Sequence, residues 1–151
     1  MKQNNMEIAP MTEDHVARIA ELERICFSDP WSENSVASEL TNELSLWLVV
    51  LDGEKVAAYV GSQSVLGEAD MMNVAVFPEY RRRGIGEQLV LALVKKLAEA
   101  GNYRLSLEVR VSNQAARALY EKLGFRQAGL RPGYYRKPRE DGLILRKEWE
   151  I

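Results

Sequence analysis

From Gly84 to Ala100 the residues Ile85, Leu89, Leu93 and Leu97 recur every four positions, flanked by Val90 and Val94, while Glu87, Lys95, Lys96 and Glu99 fall outside that stripe. This period predicts an amphipathic helix ended by Gly101. Arg104 to Val111 alternates strictly instead, with Leu105, Leu107, Val109 and Val111 on one face and Arg104, Ser106, Glu108 and Arg110 on the other, which predicts a half-buried strand. Three more strands are expected before the long helix: Leu46 to Leu51, Lys55 to Val65 after a turn at Asp52-Gly53, and Asp70 to Phe77 after a break at Gly67. Near the start, Thr12 is a plausible cap for a helix carrying Val16, Ile19, Ala20 and Leu22 until Asp29-Pro30 stops it, and a short helix begins at Ser32. Ser112 or Asn113 caps a later helix through Ala116, Leu119, Tyr120 and Leu123 to Gly124. Phe125 to Gly133 and Gly142 to Trp149 read as two closing strands around a loop rich in Pro, Gly and Tyr. The order of elements implies an α/β (α+β) fold, a mixed sheet with helices on its faces.

The bulk numbers narrow the partners. With 151 residues, 46% of them hydrophobic and 28% charged, the chain is expected to form one domain over 1–151. Its formal net charge of −2 gives no cationic excess for a phosphate backbone, so direct nucleic-acid binding is not expected. One cysteine, Cys26, and one histidine, His15, leave no intrachain disulfide and no zinc site of Cys/His clusters, and no metal is expected. Cys26 reads as a small buried residue and His15 as a solvated one. Met1 to Pro10 lacks an apolar signal region, and the longest purely aliphatic or aromatic run, Leu46 to Leu51, cannot span a bilayer, so a cytoplasmic protein without a membrane partner is expected.

Chemistry enters where Met72 to Phe77 runs through Pro78-Glu79-Tyr80 into Arg81-Arg82-Arg83-Gly84-Ile85-Gly86 and the long helix. A glycine-containing turn between a strand and a helix N-terminus offers bare N–H groups and the positive end of the helix dipole to an anion such as a pyrophosphate. No Lys-Ser/Thr pair follows the glycines and a third dinucleotide glycine is absent, which disfavours a nucleotide triphosphatase.

The stretch from Asn73 to Gly86 resembles the acetyl-coenzyme A signature of the GNAT family of N-acetyltransferases, Q/R-x-x-G-x-G/A, with Arg81, Gly84 and Gly86 filling the pattern. Leu107 to Phe125 resembles the strand and helix that follow in that family. Phe27-x-x-Pro30-Trp31-Ser32, the Leu-Glu-Val-Arg run and the pair Tyr134-Tyr135 are similar to the RimI-type ribosomal-protein-alanine acetyltransferases within it. The resemblance implies the GNAT acyltransferase fold, a mostly antiparallel sheet of about seven strands with about four helices. It implies acetyl-CoA as cosubstrate, with the backbone of Val74, Ala75 and Val76 along the pantetheine arm, Arg82, Arg83, Gly84, Ile85, Gly86 and Glu87 around the pyrophosphate, and Asn113 touching the cofactor. Catalysis falls to Glu108 as proton acceptor and Tyr120 as general acid. The implied partner is a protein N-terminus, of a ribosomal protein, and the chain is expected as a monomer or weak dimer.

The residues themselves are compatible with these roles. Strand alternation puts Glu108 opposite the leucines and valines, free to enter a cleft or to pair with Arg104 or Arg110. An N-terminal amine titrates well below a lysine amine, so freeing it is easier by about 3 to 4 kcal/mol, within reach of a carboxylate acting through water. A tyrosine hydroxyl has an acidity near that of the departing thiol, and Tyr120 shares a helix face with Asn113 across small Ala116; by period alone it could equally be a core residue. Trp31, Tyr134 and Tyr135, with Glu68 and Asp70, are candidates for an acceptor pocket. A lysine side chain or a small amine as acceptor, and a module that holds acetyl-CoA without turnover, are the competing readings.

Overall fold

In the computed structural model, residues 6–150 are described; residues 1–5, part of the stretch read above for an export signal, and Ile151 lie outside them. The elements are β1 (Met6–Pro10), α1 (Val16–Cys26), α2 (Glu33–Ser38), β2 (Ser45–Asp52), β3 (Lys55–Val65), β4 (Glu68–Val76), α3 (Ile85–Glu99), β5 (Arg104–Arg110), α4 (Gln114–Lys122), β6 (Arg126–Arg136) and β7 (Arg139–Glu148). They build a seven-stranded sheet in the order β1-β2-β3-β4-β5-β7-β6. Among the described strands only β4 and β5, joined through α3, run parallel. The mixed, mostly antiparallel sheet and four α-helices match the fold class expected from the sequence.

β3 is buried from Val56 through Ser62, on both faces, which is why its sequence shows no alternation. On one face the Tyr59 hydroxyl reaches α1; on the other, Val76, opposite Ala58, faces Gly86 of α3. The apolar stripe of α3, Ile85, Leu89, Val90, Leu93 and Leu97, is at most 4% exposed. Each such side chain contributes about 1.5 to 3 kcal/mol of burial.

Three elements differ from the sequence reading. β1 has no hydrophobic period of its own and exists by pairing with β2, from Met6 opposite Asp52 to Pro10 opposite Leu48. The loop expected between Gly133 and Gly142 is mostly strand: β6 runs through Pro132 and Gly133 as expected but continues through Tyr134 and Tyr135 to Arg136, β7 begins at Arg139, and only Lys137-Pro138 turns. β6 is an edge strand whose register breaks between Arg131 and Tyr135, so a proline without N–H and a glycine at φ +61° are accommodated. Thr12 caps a short 3-10 turn that leads into α1, and its N–H donates to His15 Nδ1 at 2.9 Å, so His15 is a capping partner and not a freely solvated side chain.

The geometry that positions a site lies at the middle of the sheet. β4 and β5 pair only from Glu68 opposite Arg104 to Asp70 opposite Ser106. Just beyond, the β3–β4 register shifts, with Gly61 opposite Asn73 but Ser62 opposite Met71. The irregularity bends β4 away from β5, and the two strands part.

Candidate active site

Parting leaves Val74, Ala75 and Val76 bonded to β3 on one side and without a partner strand on the side toward β5. A free main-chain edge inside a sheet can accept an extended, amide-bearing molecule as it would a strand. Arg81 sets the end of this edge: its Nε donates to the Val76 carbonyl at 3.0 Å and its Nη2 to Cys26 Sγ at 3.2 Å. Cys26 is half-buried rather than enclosed, and burial raises its thiol pKa.

The chain then turns into α3 with two left-handed residues, Arg82 at φ +66° and Gly84 at φ +74°. Nothing lies within 4 Å of a Cβ built on Gly84, so the backbone angle, not crowding, is what calls for glycine there. Among the described residues no side chain caps α3, so the amides of its first turn, at Ile85, Gly86 and Glu87, are left without an intrahelical or capping acceptor. Of the three arginines, Arg83 turns back to the Glu79 carbonyl at 3.3 Å and lies over the Tyr80 ring. Arg82 is the one not engaged by Val76, Cys26, Glu79 or Tyr80, and so is the cation left for an anion at the turn. The Glu87 carboxylate, which would repel that anion, is taken by Lys122 of α4 at 3.1 Å.

Across the cleft, Glu108 stands two residues beyond Ser106 on the α1 face of the sheet. Its carboxylate pairs with Arg131 Nε at 3.1 Å, not with Arg104 or Arg110. Arg104 serves Glu68 and Glu148, while Arg110 serves Glu140 and the carbonyls of Lys137 and Pro138. Tyr134 and Tyr135 lie edge to face at 5.0 Å beside Glu108. Burial and then the Glu108 charge raise the Tyr134 hydroxyl pKa; burial, Tyr134 and Glu108 push that of Tyr135 up to about 12. Tyr120 is 4% exposed, edge-on to Phe125 at 5.4 Å, and burial followed by the neighbouring Tyr135 raises its hydroxyl pKa too. The structure therefore brings Glu108, Tyr120, Tyr134 and Tyr135 together. The near-match in acidity between tyrosine and thiol expected from the sequence is not what burial leaves: Tyr120 stays protonated far into the alkaline range.

Asn113 is the cap of α4 rather than a residue of its face, its Oδ1 accepting from Ala116 N at 3.1 Å, which leaves the side-chain amide to donate outward. Trp31 lies half-buried in the loop between α1 and α2, edge-on to Trp47 at 5.4 Å. That loop meets the β6–β7 turn where Ser28 Oγ donates to the Lys137 carbonyl at 2.9 Å. Glu68 does not join the pocket: its carboxylate is bound by Tyr103 and Arg104 at the end where β4 and β5 are still paired. Asp70 pairs with Ser106, two residues before Glu108 on β5, and so lies on the same face of the sheet as Glu108. Sequence reasoning missed Arg131, Asn73 and the buried Glu23; only Glu23 carried a signal, a carboxylate inside an apolar helical stripe. A separate cavity of about 490 Å³, lined by Arg117, Glu121, Phe125 and Leu143 among others, contains none of these residues.

A sheet parted between two parallel strands, with bare amides at the mouth and a carboxylate and a tyrosine on the far wall, defines a transferase for an extended, phosphate-ended acyl donor. Residues 16–125 match the profile of the Acetyltransferase (GNAT) family, and the chain belongs to that family. It is 42% identical over 126 residues to the ribosomal protein bS18-alanine N-acetyltransferase of Escherichia coli K12, covering 82% of this chain and 84% of that one. With the Haemophilus influenzae protein of the same name it shares 36% over 131 residues, 85% and 88% of the two chains. The crystal structure of the Escherichia coli ribosomal-protein-S18-alanine N-acetyltransferase superposes with a TM-score of 0.89 at 36% identity, over 97% of this chain and 95% of that one.

Proposed function

We propose that this enzyme transfers the acetyl group of acetyl-CoA to the N-terminal α-amine of a protein, an alanine at the start of a small-subunit ribosomal protein, by direct attack in a ternary complex. The names of the relatives support the acceptor. The observation that carries it is the Ser28–Lys137 hydrogen bond, which ties the loop of Trp31 to the turn that follows Tyr134-Tyr135; in this reading the two enclose a threaded chain end in preference to a lysine presented from the middle of a folded surface.

In this reading the Val74–Val76 edge aligns the pantetheine amides, and a main-chain N–H there holds the thioester oxygen as it gains charge. Main-chain amides from Arg82 and Arg83 through Gly84, Ile85 and Gly86 to Glu87, with the Arg82 side chain as the cation, bind the pyrophosphate, and the Asn113 amide donates to the same cosubstrate. Glu108 accepts a proton of the incoming ammonium through water, the free amine forms the new C–N bond, the C–S bond breaks as Tyr120 gives its proton to the departing sulfur, and the surplus proton of the attacking nitrogen leaves through solvent, which reprotonates Tyr120. Residues 1–151 act as one domain in the cytoplasm, as a monomer or weak dimer.

Mass spectrometry after incubation with acetyl-CoA tests the reading on paired peptides, one with a free alanine N-terminus and one blocked there but carrying lysines. A single acetyl on the α-amine of the free peptide is expected. Equal modification of the blocked peptide, or acetylation of small amines alone, would overturn it.

A further inference from the structure

Among the described residues no charged side chain is as completely buried as Glu23, at 0% exposure near the end of α1. Both of its oxygens are committed. Oε1 accepts from the main-chain N–H of Trp31 at 2.9 Å; Oε2 accepts from Asn73 Nδ2 at 2.9 Å and from the Tyr59 hydroxyl. The donors come from three elements: the loop after α1, the irregular point of β4, and β3. None of the three is a cation, and a buried carboxylate without one works against stability. Its contribution therefore lies in what the hydrogen bonds hold in register.

They hold the two halves of the reaction. Trp31 belongs to the loop that runs from Ser28, at the bridge to Lys137, to Ser32, the cap of α2. Asn73 immediately precedes Val74–Val76, at the place where β4 leaves β5. A movement of the loop against β4 would move an acceptor without moving the cosubstrate. We infer that Glu23 is a positioning residue for the acceptor, clamping the Phe27–Ser32 loop to the strand that carries the thioester; the inference rests on the acceptor reading given above.

Glu23→Leu removes the acceptor for the Trp31 amide, and Glu23→Gln keeps one. Steady-state kinetics with a free-N-terminus peptide should show the peptide KM of Glu23→Leu raised about tenfold or more, with coenzyme A affinity by calorimetry within about twofold. Glu23→Gln should bring the peptide KM back to within about threefold, and Tyr59→Phe, which spares the Trp31 contact, should leave it near wild type. An unchanged peptide KM in folded Glu23→Leu overturns the inference, as does a parallel loss of coenzyme A affinity, which would make Glu23 a support of β4 alone. Hydrogen exchange on the wild-type protein judges the clamp even if the leucine variant fails to fold: a Trp31 amide as protected as those of α1 supports it, and exchange at the free-peptide rate overturns it. A wild-type protein that acetylates no free N-terminus overturns the acceptor reading and this role together, whereas an active one without the KM split overturns this role only.

Discussion

Tyr120→Phe separates chemistry from architecture. The ring is buried edge-on against Phe125, and among the described residues no hydrogen bond of its hydroxyl is present to be lost. Phenylalanine keeps the shape and the ring contact, so the stability change should stay within about 0.5 kcal/mol, which at this chain length is about 1 to 2 °C in Tm. Donation to the leaving sulfur is lost altogether, and a positioned general acid is worth on the order of 10²-fold or more in rate, about 2.7 kcal/mol or more of barrier. Thermal melting, calorimetry with coenzyme A, and thiol release with a free-N-terminus peptide would be run on the same preparation. The expected result is Tm and affinity near wild type with kcat reduced on the order of 10²-fold. A kcat within twofold of wild type would refute the role, and a joint fall of Tm, affinity and kcat would make Tyr120 a packing residue. Because burial and Tyr135 raise the Tyr120 hydroxyl pKa, wild-type turnover should show no alkaline fall from loss of this proton near its ordinary value of about 10.

Other residues give independent checks. Glu108→Gln should lower kcat on the order of 10²-fold, most severely at low pH where the amine carries its proton, and stability should move by less than about 1 kcal/mol because Arg131 is half-exposed; a pH–rate profile parallel to wild type would contradict the base assignment. Gly84→Ala meets no atom but must hold φ +74°, so a loss of about 1 to 2 kcal/mol is expected, read by denaturant unfolding; a neutral result would mean that the turn is not held in this conformation. Burial opposes ionisation of Glu39, but hydrogen bonds from Gln63, Ser45, Asn42 and Trp47 outweigh it and hold its carboxyl below the ordinary value. Its stabilisation is therefore present above an unfolded pKa of about 4.3 and lost as pH falls through the lower folded value. Glu39→Gln should be less stable than wild type by about 1 to 3 kcal/mol at neutral pH, with the gap closing below the carboxylate range; a pH-independent gap would contradict this.

The long helix and the β5 alternation were legible because one periodic face meets one packed neighbour, and the Arg81–Gly86 turn because its glycines answer to a local backbone demand. What depended on distant chain was not. β1 is a strand only against β2, and Tyr134 to Arg136 continue β6 only because they pair with β7 again beyond the broken register. Alternation foretold the face of Glu108 but not Arg131 as its partner, since that ion pair reaches from β5 across β7 to β6 and depends on the strand order of the sheet. The acidity of Tyr120 could not be read either, because it follows from the burial of this one residue of α4 beside Phe125 and Tyr135.

The central claim is that the parted strands and the bare first turn of α3 hold acetyl-CoA. Calorimetric titration of the folded protein with acetyl-CoA tests it most directly. One molecule bound per chain, with affinity reduced about tenfold by Arg82→Ala, is the predicted result. Folded protein that takes up no acetyl-CoA would contradict the account.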